Sequence, residues 1–170
     1  MSCFAVATAW LFAAEALMVA GFGFPAVDIA APDTLVLVQI IAVGWLSLCV
    51  CGAHMSGLPL NYQLLECGGR LWAKTRTAPH YKLYAMEEMN PPRPGMIRAE
   101  NGVALDVEVW ELPIEKFGVF IKKVPSPLCI GTVALETGEP VSGFLCEPFA
   151  LKNAKDISLL GGWRAYLKGL

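Results

Sequence analysis

The stretch LSLCVCGAHMSGLPLN, residues 46–61, carries the clearest structural signal in this chain of 170 residues. Its first half is a nearly continuous apolar run, which is typical of a strand covered on both faces of a sheet. Gly57 and Pro59 then predict a loop. Asn61 is a favourable N-cap residue, so a short helix is predicted over residues 62–66.

The chain beyond this stretch reads as alternating short strands and helices. Residues 80–86, HYKLYAM, alternate as a strand does. Asn101-Gly102 and Thr137-Gly138 each lie between β-forming segments and predict two hairpins. Apolar residues at 114, 117, 120 and 121 have the spacing of an amphipathic helix, and residues 157–170 predict a short C-terminal helix. This order predicts an α+β domain built on a curled mixed sheet or a small barrel.

Charge is distributed unevenly along the chain. The formal net charge is -2, which removes the electrostatic case for binding nucleic acid. All 13 Lys and Arg residues lie at position 70 or later. We therefore divide the chain into an apolar N-terminal extension of uncertain structure, residues 1–45, and a domain over residues 46–170.

Residues 34–53 form an apolar run that is long enough to span a bilayer by the criterion of about 20 residues. No basic residue flanks it to set an orientation, and its second half also fits a core strand. The first 30 residues lack the basic segment of a secretory signal, and Glu15 interrupts their apolar run. We expect a cytoplasmic protein, with membrane association through residues 34–53 as the alternative.

The six cysteines contain no CxxC pair, so we expect buried free thiols in a reducing cytosol rather than a disulfide framework. A metal site is not expected either. Cys49, Cys51 and His54 lie close together, but His80 is the only other histidine and no spacing matches a structural zinc site. We expect no cofactor.

The loop after the first strand admits two interpretations from its residues alone. Gly52 and Gly57 would let backbone N–H groups approach an anion, and His54 could move a proton or stabilise charge there. Alternatively, glycine and proline only turn the chain, and His54 satisfies a buried carbonyl. A serine nucleophile at Ser56 is disfavoured, because AHMSG is not a G-x-S-x-G elbow and no carboxylate lies nearby in sequence.

Eight blocks, in this order, resemble the C-terminal domain of allophanate hydrolase: GAHMSGLPLNYQL, KTRTAPHYKLYAM, RPGM, VEVWELP, FGVFI, PLCIGTVAL, VSGFLCE and GGWRAYL. The resemblance covers about residues 46–170 and implies a fold like that of the γ-glutamylcyclotransferases. It also implies a role in urea catabolism, in which an amidase acts on allophanate and this domain assists decarboxylation of N-carboxycarbamate without a metal. No GGSS-type amidase signature occurs in the chain, so an amidase subunit is the implied partner. A homodimer is left open.

The resemblance places residues 51–54 in a loop that binds substrate carboxylates through backbone N–H groups. It implies that His54, inside that loop, carries the proton transfer, with His80 as the alternative. The substrate-binding residues that it implies are Gly52, Ala53, Ser56, Asn61, Arg76 and Tyr81.

The chain departs from the cyclotransferases at one position. Those enzymes resemble one another in a catalytic Glu after the strand that matches VEVWEL, whereas FIKKVPSPLCIG, residues 120–131, has no carboxylate. The cyclotransferase reaction is therefore not expected. Two alternatives remain, a non-catalytic module that scaffolds an amidase subunit and a cyclotransferase-like protein that binds a small molecule.

Overall fold

The structure is a computed structural model, and it describes residues 44–170. The predictions for residues 1–43, which include the first half of the apolar run 34–53, lie outside the described residues. The second half of that run forms a strand and the start of a loop rather than a helix. None of the helices within residues 44–170 has the length and apolar character needed to cross a membrane.

The elements follow one another in this order: strand β1 (Trp45–Val50), helix α1 (Asn61–Glu66), strands β2 (Arg70–Arg76), β3 (Tyr81–Met86), β4 (Arg93–Arg98) and β5 (Asp106–Pro113), helix α2 (Ile114–Ile121), strands β6 (Leu128–Ala134) and β7 (Pro140–Cys146), a 3-10 helix (Pro148–Leu151), strand β8 (Lys155–Asp156), a second 3-10 helix (Ser158–Leu160) and helix α3 (Trp163–Lys168).

The strands form a mixed sheet in the order β2-β5-β1-β7-β6 and a smaller sheet in the order β4-β3-β8. β1 runs parallel to β7 and antiparallel to β5. The outer strands of the larger sheet meet at one end, where the N–H of Ala78 donates to Ala134 and that of Glu136 donates to Arg76, each over 2.9 Å. The sheet is therefore curled without closing into a barrel, and the predicted α+β fold on a curled mixed sheet is confirmed.

β1 is the central strand of the larger sheet and is covered on both faces. Leu48, Cys49 and Val50 have no exposed surface. Successive side chains of a strand point to opposite faces, and Cys49 packs in one apolar cluster while Leu48 and Val50 pack in another. Burying each such aliphatic side chain contributes roughly 1.5–3 kcal/mol, so the loop that follows β1 begins from a firmly held strand.

The structure confirms one predicted hairpin and contradicts the other. β6 and β7 pair around Thr137-Gly138. The segments on either side of Asn101-Gly102 do not pair, because β4 pairs with β3 whereas β5 pairs with β1 and β2. Val103 instead bridges to Tyr81, so a nonlocal contact overrides the local turn signal.

The prediction also missed β2, an exposed edge strand. Helix α2 lies where the apolar spacing predicted it, and α3 lies within residues 157–170, where a short C-terminal helix was predicted. The five cysteines of the described region are free thiols, and four of them are buried.

Candidate functional site

Residues 51–60 connect β1 to α1, and we call this segment the His54 loop. Its own backbone holds it, since the N–H of Met55 donates to Gly52 and the N–H of Leu60 donates to Ala53, each over 2.9 Å. Asn61 donates its side-chain amide to the carbonyl of His54 over 2.9 Å. Asn61 therefore stabilises the loop through this hydrogen bond. It is the first residue of α1 rather than its N-cap, which corrects the prediction.

Gly52 lies against β4 so closely that no side chain fits. A Cβ at this position would lie 2.4 Å from Cδ of Pro94, well inside ordinary contact distance. The glycine thus brings the His54 loop and the start of β4 together. This approach brings Arg93 beside the loop, because Arg93 is the first residue of β4.

The imidazole of His54 is buried between two aromatic rings. It stacks on Phe144 at 4.9 Å between centroids and meets the edge of Phe120 at 5.5 Å. Nε2 lies 3.0 Å from Oε1 of Gln63, so Nε2 carries the proton and the neutral ring keeps a lone pair on Nδ1. Burial lowers the pKa of His54, the bond to Gln63 partly restores it, and the charge of Arg93 lowers it further. The ring is therefore neutral at pH 7.

Arg93 is a buried cation with donors to spare. Its exposed fraction is only 8%. Nε donates to the carbonyl of Pro91 over 3.2 Å, and Nη2 donates to that of Asn90 over 3.1 Å. A guanidinium has five N–H groups, so the remaining three can hold an anion. Sequence reasoning did not single out this residue, although it is the arginine of the block RPGM.

The side chains of His54, Gln63, Arg93, Phe120, Lys123 and Phe144 line one cavity of about 310 Å³. Arg93 is at its buried side, and Lys123 is exposed. No carboxylate of the described chain lines this cavity. Two cations, an uncharged imidazole and apolar ring faces make it suitable for a small anion.

The backbone of the His54 loop adds further donors. Among the hydrogen bonds of residues 44–170, none uses the N–H groups of Gly52, Ala53 or His54. These three residues and Arg93 line a smaller cavity of about 20 Å³, which shares His54, Arg93, Leu128 and Phe144 with the larger one. Successive N–H groups beside a guanidinium form a recurring type of anion site.

Ser56 does not contribute a free donor to this arrangement. Its N–H and its hydroxyl each donate to the carboxylate of Glu108 over 2.6 Å. Burial alone would raise the pKa of Glu108, but hydrogen bonds from Ser56, Trp110 and Arg164 outweigh it and hold that pKa below its usual value. Glu108 is therefore a carboxylate, and Ser56 is engaged with it.

Three other residues that the sequence analysis proposed lie away from the cavity. Arg76 is exposed, pairs with Asp106 at 3.3 Å and donates to Ala104. His80 is exposed, and Tyr81 is buried in the core, where its hydroxyl accepts from Ala134 over 2.8 Å. None of the three lines the cavity. The structure therefore groups His54, Gly52 and Ala53 with Arg93, Gln63 and Lys123.

Residues 44–170 contain no group of three or more His, Cys, Asp or Glu side chains arranged to hold a metal ion. The chemistry that this site can perform with its own groups is anion binding through Arg93 and backbone N–H groups, together with proton transfer through His54.

Comparison with known proteins identifies relatives for this domain. The family described as the allophanate hydrolase C-terminal domain matches residues 46–168. Urea amidolyase of Saccharomyces cerevisiae is 41% identical over 130 residues, which cover 74% of this chain and 7% of that protein. Among solved structures, allophanate hydrolase of Kluyveromyces lactis has a TM-score of 0.71 at 39% identity, covering 74% of this chain and 21% of the other.

A second solved structure is almost entirely this domain. A uropathogenic E. coli-specific protein has a TM-score of 0.69 at 35% identity, and the match covers 75% of this chain and 98% of that one. The chain thus spans only a small part of the yeast enzymes that it matches, whereas it spans nearly the whole of the bacterial protein.

Proposed function

This chain belongs to the family of allophanate hydrolase C-terminal domains through residues 46–168, as its sequence blocks predicted, and on that premise we propose that it acts in urea catabolism. In this proposal it assists the decarboxylation of N-carboxycarbamate, which an amidase forms from allophanate. The observation that carries the proposal is the pair of adjoining cavities where the buried imidazole of His54 and the buried guanidinium of Arg93 lie beside backbone N–H groups that have no acceptor within residues 44–170.

The substrate is a small dianion with two carboxylates on one nitrogen. The carboxylate that is retained binds Arg93, whose planar donors match its two oxygens, and the N–H groups of Gly52 and Ala53. The departing carboxylate lies against the rings of Phe120 and Phe144, where the loss of its charge is favoured. Lys123 at the exposed side attracts the dianion without holding the departing group.

The reaction breaks the bond between the nitrogen and the departing carboxylate carbon. The bonding electron pair stays on the nitrogen, which takes one proton, so N-carboxycarbamate and a proton give CO2 and carbamate. His54 supplies that proton. The pKa of His54 is lowered in the protein alone. A dianion in contact with the ring favours the imidazolium and raises that pKa, so His54 takes up a proton from solvent when the substrate binds.

In the test, an amidase converts allophanate to N-carboxycarbamate in the presence of the purified protein. The rate of CO2 release is then measured. We expect release faster than the spontaneous rate, and we expect His54→Ala to return it to that rate. His80→Ala is the matched control, since His80 is the only other histidine of the chain and is exposed. No acceleration by the unmodified protein, or full activity in His54→Ala, would refute the proposal.

The amidase is the proposed partner. The match covers 21% of the Kluyveromyces lactis allophanate hydrolase, so most of that enzyme lies outside the matched domain. Co-purification of the full chain with an allophanate-hydrolysing amidase tests this part separately from catalysis.

A further inference from the structure

Glu108 of β5 is a buried carboxylate that binds groups from separate parts of the chain. Its exposed fraction is 1%. Oε1 accepts from the hydroxyl of Ser56 over 2.6 Å and from Nη2 of Arg164 over 3.0 Å. Oε2 accepts from the N–H of Ser56 over 2.6 Å and from Nε1 of Trp110 over 3.2 Å. The same nitrogen of Arg164 also donates to the carbonyl of Ser56 over 2.5 Å.

We call Ser56, Glu108 and Arg164 the Glu108 latch, because they join β5, the His54 loop and helix α3. A buried carboxylate is costly unless a cation and hydrogen bonds compensate for the lost solvation, and here both are present. The proposed reaction has no use for this carboxylate, since it does not line the cavity. Two of its four hydrogen bonds instead come from Ser56, two residues beyond His54, and a third comes from Arg164, which also donates to the Ser56 carbonyl.

We infer that Glu108 and Arg164 are positioning residues, which hold Ser56 and thereby keep His54 in the geometry that the cavity requires. The consequence for turnover rests on the proposed function, whereas the consequence for the loop rests on these contacts alone.

The latch acts at one end of a short segment. At the other end, Gly52 packs against Pro94. Between these anchors, His54 is held through its carbonyl by Asn61 and through its ring by Gln63. If Ser56 is released, the loop loses its anchor on the C-terminal side of His54. The imidazole can then leave the position in which it stacks on Phe144.

The latch accepts only a carboxylate at position 108. The amide nitrogen of a glutamine there would face Arg164 if it replaced Oε1. It would face the N–H groups of Ser56 and Trp110 if it replaced Oε2. Each of these partners can only donate, so every orientation of Glu108→Gln sets one N–H group against another.

Arg164 offers a gentler test, because its side chain is 40% exposed whereas that of Glu108 is almost fully buried. Arg164→Gln removes the charge. Arg164→Lys keeps it, and a single ammonium can serve both the Ser56 carbonyl and Glu108, since Arg164 itself uses one nitrogen for both. Glu111→Gln is the matched control. Glu111 lies on β5, as Glu108 does, but its ion pair is with Arg70 of β2 and does not involve the loop.

The experiment measures hydrogen exchange at the amides of Met55 and Leu60, which the loop carbonyls protect, and the kcat of CO2 release by each folded variant. In Glu108→Gln and Arg164→Gln we expect exchange at least roughly 10-fold faster, the factor that corresponds to losing one charge-assisted hydrogen bond, together with a lower kcat. Arg164→Lys and Glu111→Gln should match the unmodified protein. If Glu108→Gln does not fold, the comparison of Arg164→Gln with Arg164→Lys tests the inference.

Unchanged exchange in Arg164→Gln would overturn the inference. So would faster exchange with an unchanged kcat, or an equal loss of kcat in Arg164→Lys. If the unmodified protein does not accelerate CO2 release, the proposed function fails. The exchange rates, which need no substrate, then still decide whether the latch holds the loop.

Discussion

Gly52→Ala is expected to destabilise the domain by about 1–3 kcal/mol, the usual cost of overpacking a filled site. The added Cβ would lie 2.4 Å from Cδ and 2.7 Å from Cγ of Pro94. Carbon atoms in ordinary contact are about 3.5–4.0 Å apart, so the loop and β4 must separate by roughly 1 Å. Pro94 cannot turn aside, because its ring is rigid and its strand is paired with Ala85 of β3.

The same displacement reaches the site, since Gly52 precedes His54 by two residues and packs beside Arg93. Malonate, a small dicarboxylate, is a suitable probe for the resulting change in affinity. Urea unfolding followed by tryptophan fluorescence measures the free energy of unfolding, and calorimetry measures the affinity for malonate. Both the free energy of unfolding and this affinity should be lower in Gly52→Ala.

Gly118→Ala is the control for this prediction, because an added Cβ there meets no atom within 4 Å. Gly118 lies within helix α2, where alanine should stabilise by roughly 0.5–1 kcal/mol. The same substitution thus has opposite signs at the two positions. If Gly52→Ala were as stable as the unmodified protein to within about 0.5 kcal/mol, the size of an ordinary surface effect, the argument for close approach would be refuted.

Three further predictions concern the charges of the site. Arg93→Gln should weaken malonate binding roughly 10- to 100-fold, because a buried charged donor is lost, whereas Arg76→Gln should not change it; equal affinities in a calorimetric comparison would contradict the assigned site. Stability should fall as the pH drops below about 6.5, because burial lowers the pKa of His54 in the folded state and the unfolded chain takes up the proton first. His54→Gln should flatten a plot of the urea unfolding midpoint against pH below about 6.5. An unchanged slope would contradict the assignment of this pH dependence to His54. Lys123→Gln should slow malonate association mainly at low salt in stopped-flow measurements, since Lys123 is exposed, and a loss independent of salt would instead indicate direct contact.

Local patterns predicted the strand, the loop and the helix around His54 correctly. An apolar run without alternation indicated a strand covered on both faces, and β1 is such a strand. Gly57 and Pro59 indicated the loop, and a short helix follows it. These features depend on residues that are near one another in sequence, so the residues themselves suffice to predict them.

The misplaced hairpin at Asn101-Gly102 shows the limit of such patterns. A turn dipeptide favours a local reversal, but which strands then pair depends on the burial of whole faces. The pairing of β4 with β3, and of β5 with β1, puts the two flanking segments in different sheets.

The sequence by itself determined the fold class, the family and the loop that holds His54, because each is expressed in local patterns and short blocks along the chain. Only the tertiary structure decided which side chains join that loop. Arg93 reaches it because Gly52 allows β4 to approach, and Glu108 reaches it because β5 lies beside β1. His80 and Arg76 fall elsewhere, since nearness in sequence does not set the pairing of strands. The physical reason is that a charged side chain acts over a few ångströms, and at that range its neighbours are chosen by packing.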